Sequence, residues 1–372
     1  MTPAPYNRAG KSGEGTGPTL GSEIHSADDQ QRDSNVSHRW RLYFRRPAER
    51  RGAQSREPRP PADRFRVTRT KPKRGLVLAP TYGRLLILSA SILWSTSGAF
   101  VKYIGLPAAN MAMYRCLVAA TFLLVYFTLQ RKRPTFHPVM ILMVLCFATM
   151  NYTFVASLTL TSSANSIFLQ YTAPLWMTLG SYFVLKEGVD RRTLVAVSGC
   201  LIGVFIIVAG NREASSNEQW GMALGLAAGL FYAGVALSLR FLREHDPRWL
   251  AFLNHFGAGF SLLLVNLVGV GLGEVSPDIF SLPSEPAKML ALLAFGVFQM
   301  GLPYVLFARG LAGISPQEAG ILTLIEPILT PIWAFLIAGD IPTQPTLIGG
   351  AVLLLTLATR YFPYRRPITP SS

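Results

Sequence analysis

Ser162-Ser-Ala-Asn-Ser-Ile-Phe-Leu-Gln-Tyr-Thr-Ala-Pro174 is matched later in the chain by Ser315-Pro-Gln-Glu-Ala-Gly-Ile-Leu-Thr-Leu-Ile-Glu-Pro327. The two stretches align at a constant offset of 153 residues, Ser162 onto Ser315, and the same offset sets Phe154 on Phe307, Leu158 on Leu311, Leu169 on Leu322, Pro174 on Pro327 and Glu187 on Asp340. So few identities are weak alone. Their weight comes from position: they lie in and just before the fourth apolar stretch of each half, where a duplicated membrane carrier keeps corresponding elements.

Working outward, the chain from about Leu85 to Tyr361 divides into ten apolar stretches. A helix needs about 20 apolar residues to cross the hydrocarbon core. Spans are expected near 85–104, 108–129, 139–159, 165–185, 194–210, 220–239, 250–271, 290–308, 317–338 and 347–361, the fifth and tenth being short. Half of the 372 residues are hydrophobic and 15% are charged, a balance that suits a chain surrounded by lipid and argues against a soluble fold. The intervals are mostly brief, so neighbouring helices form antiparallel hairpins. The extended interval, Leu272 to Ala287, carries proline and acidic residues and leaves no room for a second soluble domain.

Basic residues in short loops stay on the cytoplasmic side. Alternate boundaries carry Arg131-Lys132-Arg133, then Lys186, Arg191 and Arg192, then Arg240, Arg243 and Arg248, then Arg309, then Arg360, Arg365 and Arg366, whereas the others carry only Lys102, Arg212 and Lys288. Both termini are therefore expected in the cytoplasm. Because each half holds an odd number of helices, the halves must be inserted upside down relative to each other. The expected fold is an all-α membrane protein of ten transmembrane helices in two inverted five-helix repeats, 83–212 and 219–362, flanked by tails at 1–82 and 363–372. Gly199 and Gly203 in the fifth span, and Gly221, Gly225 and Gly229 in the sixth, recur every four residues and predict close helix contact.

Residues 1–84 hold 18 Lys and Arg against 8 Asp and Glu, a net +10 of the chain's +15, so the basic character belongs mainly to the tail. With Arg45-Arg-Pro-Ala-Glu-Arg-Arg-Gly52 and Arg56-Glu-Pro-Arg-Pro-Pro61 it has too few apolar residues to bury a core and reads as a disordered, solvated segment or a translation start placed too early. Its acidic residues argue against a transit peptide, no aromatic-basic spacing supports nucleic-acid binding, and no cleavable secretory signal is read before the first span. Cys116, Cys146 and Cys200 all fall in apolar stretches, with no disulfide or zinc spacing.

Four pieces of the chain carry a family resemblance over roughly residues 83–362: Ala90-Ser-Ile-Leu-Trp94-Ser-Thr-Ser-Gly98, Arg115, the stretch from Pro174 to Glu187, and Leu324-Ile-Glu326-Pro327 through Asp340. Together they resemble the ten-helix EamA-type branch of the drug/metabolite transporter superfamily. That resemblance implies an exporter or exchanger of small metabolites such as amino acids, purines or drugs. In the family the acidic residue closing the second half is usually Glu; here it is Asp340, a mild departure.

Arg115 lies about a third of the way into the second span, where a guanidinium is expensive and faces a partner or an aqueous cavity. It could hold a substrate carboxylate bidentately, or simply fix two helices together. Glu326 lies deep in the ninth span beside Pro327, where a carboxyl cannot cheaply stay ionised; it suits proton exchange, or a packing role against freed backbone. Glu318, eight residues earlier, shares its helix face near the wet end. Pro174 and Pro327 remove helical hydrogen bonds at equivalent points and are candidate hinges, with static curvature as the plainer reading. Trp94, Asn151, Tyr152, Gln170, Tyr171, Tyr232 and Tyr304 are candidate substrate contacts, with Asn254 and Gln299 in the same polar set; for each, a lipid-interface or packing role competes. His255 is a candidate proton relay.

No phosphate-cradling loop, paired-cysteine motif or His-Glu-x-x-His is present, so neither an enzyme nor an ATP-driven pump is indicated, and no cofactor or metal is expected. The expected partners are the lipid bilayer and a small-molecule substrate, with no nucleic acid; a homodimer stays open. The expected location is a bacterial inner membrane. A nucleotide-sugar or sugar-phosphate carrier is the competing transport reading, disfavoured because Arg115 is the single deeply placed cation. A membrane-embedded enzyme or a scaffold is the competing class.

Overall fold

A computed structural model of the chain describes residues 79–129, 134–183, 186 and 191–361. The tail 1–78, Glu187 and residues 362–372 lie outside these. Among the described residues the secondary structure is helical, without a strand. In chain order the helices are α1 (Pro80–Ser95), α2 (Ser97–Ile104), α3 (Ala108–Leu129), α4 (Val139–Leu160), α5 (Ser163–Gln170), α6 (Ala173–Phe183), α7 (Arg191–Gly210), α8 (Ser216–Phe241), α9 (Pro247–Gly271), α10 (Pro286–Ala294), α11 (Leu302–Gly310), α12 (Pro316–Thr323), α13 (Ile325–Ala338) and α14 (Gln344–Tyr361). A 3₁₀ turn covers Pro277–Phe280, and Phe295–Gly301 forms a π-helix joining α10 to α11.

Among the described residues eight stretches are long and apolar enough to cross a membrane: Pro80–Ile104, Ala108–Leu129, Val139–Leu160, Thr193–Gly210, Ser216–Phe241, Pro247–Gly271, Pro286–Gly310 and Glu318–Ala338. The expected ten differ from these eight by the fourth, which is divided into α5 and α6, and the tenth, whose apolar helix Gln344–Thr359 is shorter.

The helix pairings repeat between the halves. α4 packs on α8 as α11 packs on α1; α5 and α6 pack on α8 as α13 packs on α1 and α2; α7 pairs with α14, and α3 with α9. Exchanging each span with the span five later maps this set of pairs onto itself. Small residues permit the close pairs. On α8, Gly221 faces Thr161 and Leu160, Gly225 faces Leu169 and Ser157, and Gly229 faces the backbone carbonyls of Gln170 and Leu169. Gly199 lies against Thr356 and Gly203 against the Gly349 carbonyl, bringing α7 onto α14.

The fourth and ninth spans break at equivalent places. Ser162 and Ser315 cap them, their hydroxyls accepting from the backbone N–H groups of Asn165 and Glu318 at 3.1 and 3.2 Å. Each then runs eight residues, to Gln170 and to Thr323, before the helix stops. The cause is three to four residues downstream: Pro174 offers no N–H to the Gln170 carbonyl, nor Pro327 to the Thr323 carbonyl. The first span breaks at Thr96 for another reason. Ser95 and Thr96 turn their hydroxyls back onto the carbonyls of Ile92 and Leu93, at 2.6 Å each, competing with the helical ladder.

Candidate functional site

Arg115 projects from α3 into the bundle and is 2% exposed. Its Nε and Nη2 both donate to Asn151 Oδ1 on α4, at 2.8 and 2.5 Å, and its guanidinium lies over the Phe295 ring with 5.0 Å to the centroid. Among the described residues no carboxylate pairs with it. Nη1 has no hydrogen-bond partner, nor has the Asn151 amide nitrogen.

The π-helix supplies the opposite wall. A π-turn widens the helix by one residue and is often found at functional sites. Here it sets Phe295 under Arg115 and turns Gln299 inward, where Nε2 donates to the Trp94 carbonyl at 3.2 Å. Gly296 and Gly301 make room for it by lying against Val118 and Phe122 of α3. Trp94 meets Tyr304 edge-on at 5.4 Å between ring centroids, and Tyr304 meets His255 at 4.7 Å. His255, fully buried on α9, also contacts the Phe147 ring. Its Nδ1 lies 2.7 Å from the Ala251 carbonyl, and a carbonyl can only accept, so Nδ1 carries the proton. The neutral ring then presents Nε2 as an acceptor, and it has no partner.

These contacts join α1, α3, α4, α9 and the π-helix around one centre. Four of the eight unpartnered buried side-chain atoms among the described residues belong there: donors on Arg115 and Asn151, and acceptors on Gln299 and His255. Leaving a buried polar atom unpartnered costs about 1–3 kcal/mol, so four together call for a polar occupant, water or solute.

Glu326 and Tyr171 form a second cluster at the two breaks. The Tyr171 hydroxyl lies 2.9 Å from Glu326 Oε2 and 3.0 Å from the Thr323 carbonyl that Pro327 leaves without an N–H. Pro327 is buried and Pro174 half-buried. Gln170 is buried at the end of α5. Tyr152 is not brought into either cluster. Its neighbour Asn151 is fully buried, and one residue further along a helix turns the side chain by about 100°, which leaves Tyr152 39% exposed. Tyr232 is exposed on α8.

At one end of the bundle a cavity of about 380 Å³ is lined by Lys102, Thr161, Asn165, Asn211, Glu218 and Asp340 among others. Asp340 crosses between the halves, one carboxylate oxygen accepting from the Ser163 backbone N–H at 2.7 Å at the start of α5. An anion there complements the helix N-terminus. Lys102 donates to the Thr161 carbonyl at 2.9 Å. At the start of α1, Arg84 pairs with Glu318 of α12. Phe295, Phe147 and the Asp340 contact have no local signal in the sequence beyond the Gly296, Gly301 and Pro303 run around the π-helix.

The sequence profile of the EamA-like transporter family matches residues 81–209 and 219–360. An uncharacterized transporter of Archaeoglobus fulgidus is 27% identical over 73% of this chain and 94% of its own length. A probable amino-acid metabolite efflux pump of Salmonella typhimurium is 23% identical over 75% and 95%, and an S-adenosylmethionine/S-adenosylhomocysteine transporter of Chlamydia trachomatis is 25% identical over 68% and 81%. A solved crystal structure shares the fold with a TM-score of 0.53 at 16% identity, covering 75% of this chain and 96% of that one.

Proposed function

The chain belongs to the EamA-like transporter family, within the drug/metabolite transporter superfamily, and on that premise we propose that it is a secondary transporter or facilitated exporter of small organic metabolites working by alternating access. It is a multi-pass integral membrane protein; we place it in a bacterial inner membrane with both termini cytoplasmic, from its loop charges. The observation that carries the substrate reading is Arg115: a buried guanidinium at the bundle centre, one nitrogen unpartnered and, among the described residues, no carboxylate opposite. Such a group favours a solute that brings its own anion, and a carboxylate fits its planar fork. The amino-acid metabolites and S-adenosylmethionine named for two relatives both carry one. Acceptors on Gln299 and His255 suit the amino group of the same solute.

A nucleotide-sugar or sugar-phosphate carrier would need more than one buried cation, and Arg115 is the one buried Lys or Arg among the described residues. Glu326 is the proposed coupling group, taking up and releasing a proton as the cavity changes sides. Pro174 and Pro327 mark the breaks about which the fourth and ninth spans would move.

The test begins with metabolites retained and released by cells with and without the protein, followed by flux of the best candidate in proteoliposomes. A carboxylate-bearing solute moved by wild type and not by Arg115→Ala supports the reading; equal flux by the alanine variant at equal expression contradicts it. Glu326→Gln should keep exchange of that solute while losing the dependence of net flux on a pH gradient. An unchanged gradient response would remove Glu326 from coupling.

A further inference from the structure

Tyr171 stands at the break of the fourth span and reaches the break of the ninth. Its oxygen is within hydrogen-bond distance of two acceptors, the Thr323 carbonyl at 3.0 Å and Glu326 Oε2 at 2.9 Å. A phenol has one hydrogen to give. With Glu326 ionised, the carboxylate can only accept, and it takes that hydrogen in preference, because charged acceptors bind more strongly. The Thr323 carbonyl then has neither the phenol nor, since residue 327 is proline, its helical donor. With Glu326 protonated, its O–H donates to the phenol oxygen and the phenol hydrogen is released to Thr323. Every group is then satisfied and the break is held from across the bundle.

We propose that Tyr171 is a positioning residue that converts the proton on Glu326 into a grip on the ninth-span break, held when Glu326 is protonated and released when it is ionised. This rests on the coupling reading of Glu326 and reassigns Tyr171 from a substrate contact to part of the coupling device. The helices packed chiefly against α13 are α1, α2, α5 and α12, and their titratable groups are Tyr82, Arg84, Lys102, Tyr103 and Glu318. Arg84 and Glu318 engage each other, Lys102 engages the Thr161 carbonyl, and Tyr82 and Tyr103 are exposed. Asp340, following α13, caps Ser163, and Tyr304 of α11 lies within electrostatic range of Glu326.

Hydrogen–deuterium exchange of the full chain in lipid nanodiscs, read by mass spectrometry across residues 318–331 at acidic and alkaline pH and corrected for the intrinsic pH dependence of exchange, tests this without a substrate. Wild type should exchange about fivefold faster when Glu326 is ionised, the effect of one lost hydrogen bond. Glu326→Gln should exchange slowly at both pH values, because the amide N–H₂ still donates to the phenol oxygen and the phenol still serves Thr323. Tyr171→Phe should exchange fast at both. A Tyr171→Phe variant that shifts uniformly but keeps the wild-type pH step would show a merely structural tyrosine and overturn the proposal, as would a wild type with no step. The outcome separates from that of the coupling reading. A pH step lost in both variants, with pH-driven flux intact in Glu326→Gln, leaves the grip standing and removes the coupling; the converse removes the grip alone.

Discussion

The break between α5 and α6 and the break between α12 and α13 share a backbone and differ in chemistry. Both follow a serine cap by eight helical residues, and both precede a proline at the same offset. Yet where the first half has Tyr171, the second has Leu324, and where the second has Glu326, the first has Ala173. The orphaned carbonyls have different surroundings too: the Gln170 carbonyl lies close against Gly229 of α8, whereas the Thr323 carbonyl accepts from the Tyr171 hydroxyl. At the cavity end, Asp340 caps the Ser163 N–H, while the equivalent residue in the second half is Pro316, which has no N–H to cap. Duplication explains the common break, because proline chemistry acts on the backbone alone. The two halves differ in carrying a tyrosine on one side and a carboxyl on the other, so that one hydrogen-bonded pair spans the two breaks.

Changes that reach the shared centre should have the largest effects. Arg115→Ala should reduce flux by tenfold or more, since a charge-assisted hydrogen bond is worth about 1.5–3 kcal/mol. Arg115→Lys should restore only part of it, because an ammonium lacks the planar fork; initial rates in proteoliposomes decide this. Next comes packing at the first break. A Cβ on Gly229 would lie 2.9 Å from the Gln170 carbonyl and 3.1 Å from the Leu169 carbonyl, so Gly229→Val should destabilise by about 1–3 kcal/mol. Thermal unfolding in detergent would show it as a lowered midpoint, and an unchanged midpoint would mean that α8 and α5 separate freely. Asp340→Ala should cost about 0.5–2 kcal/mol through the lost cap on Ser163, read by the same unfolding measurement. The smallest effect belongs to Arg84→Ala: its pair with Glu318 is half exposed, so a change within about 1 kcal/mol is expected.

Much of the fold was legible beforehand because membrane helices declare themselves by length and apolarity, and the repeat by its fixed offset. The glycines of α7 and α8 pack where their spacing placed them. Pro174 and Pro327 marked the breaks but not their exact register, since the helix lets go at the carbonyl four residues earlier. The site was harder to read. α4 is apolar on all sides, so nothing in its pattern separates the fully buried Asn151 from the exposed Tyr152. The π-helix packs on α3 through Gly296 and Gly301, a contact between residues more than a hundred positions apart. The Tyr171–Glu326 pair joins residues 155 positions apart and has no local signature.

The proposed opposite insertion of the two halves is tested most directly at Ser162 and Ser315. They occupy equivalent caps in the two repeats, so on a background without Cys116, Cys146 and Cys200, single cysteines at these positions should be labelled by a membrane-impermeant reagent from opposite sides, Ser162→Cys from outside and Ser315→Cys from the cytoplasm. Labelling of both from one side would contradict inverted repeats, and with them the alternating-access account.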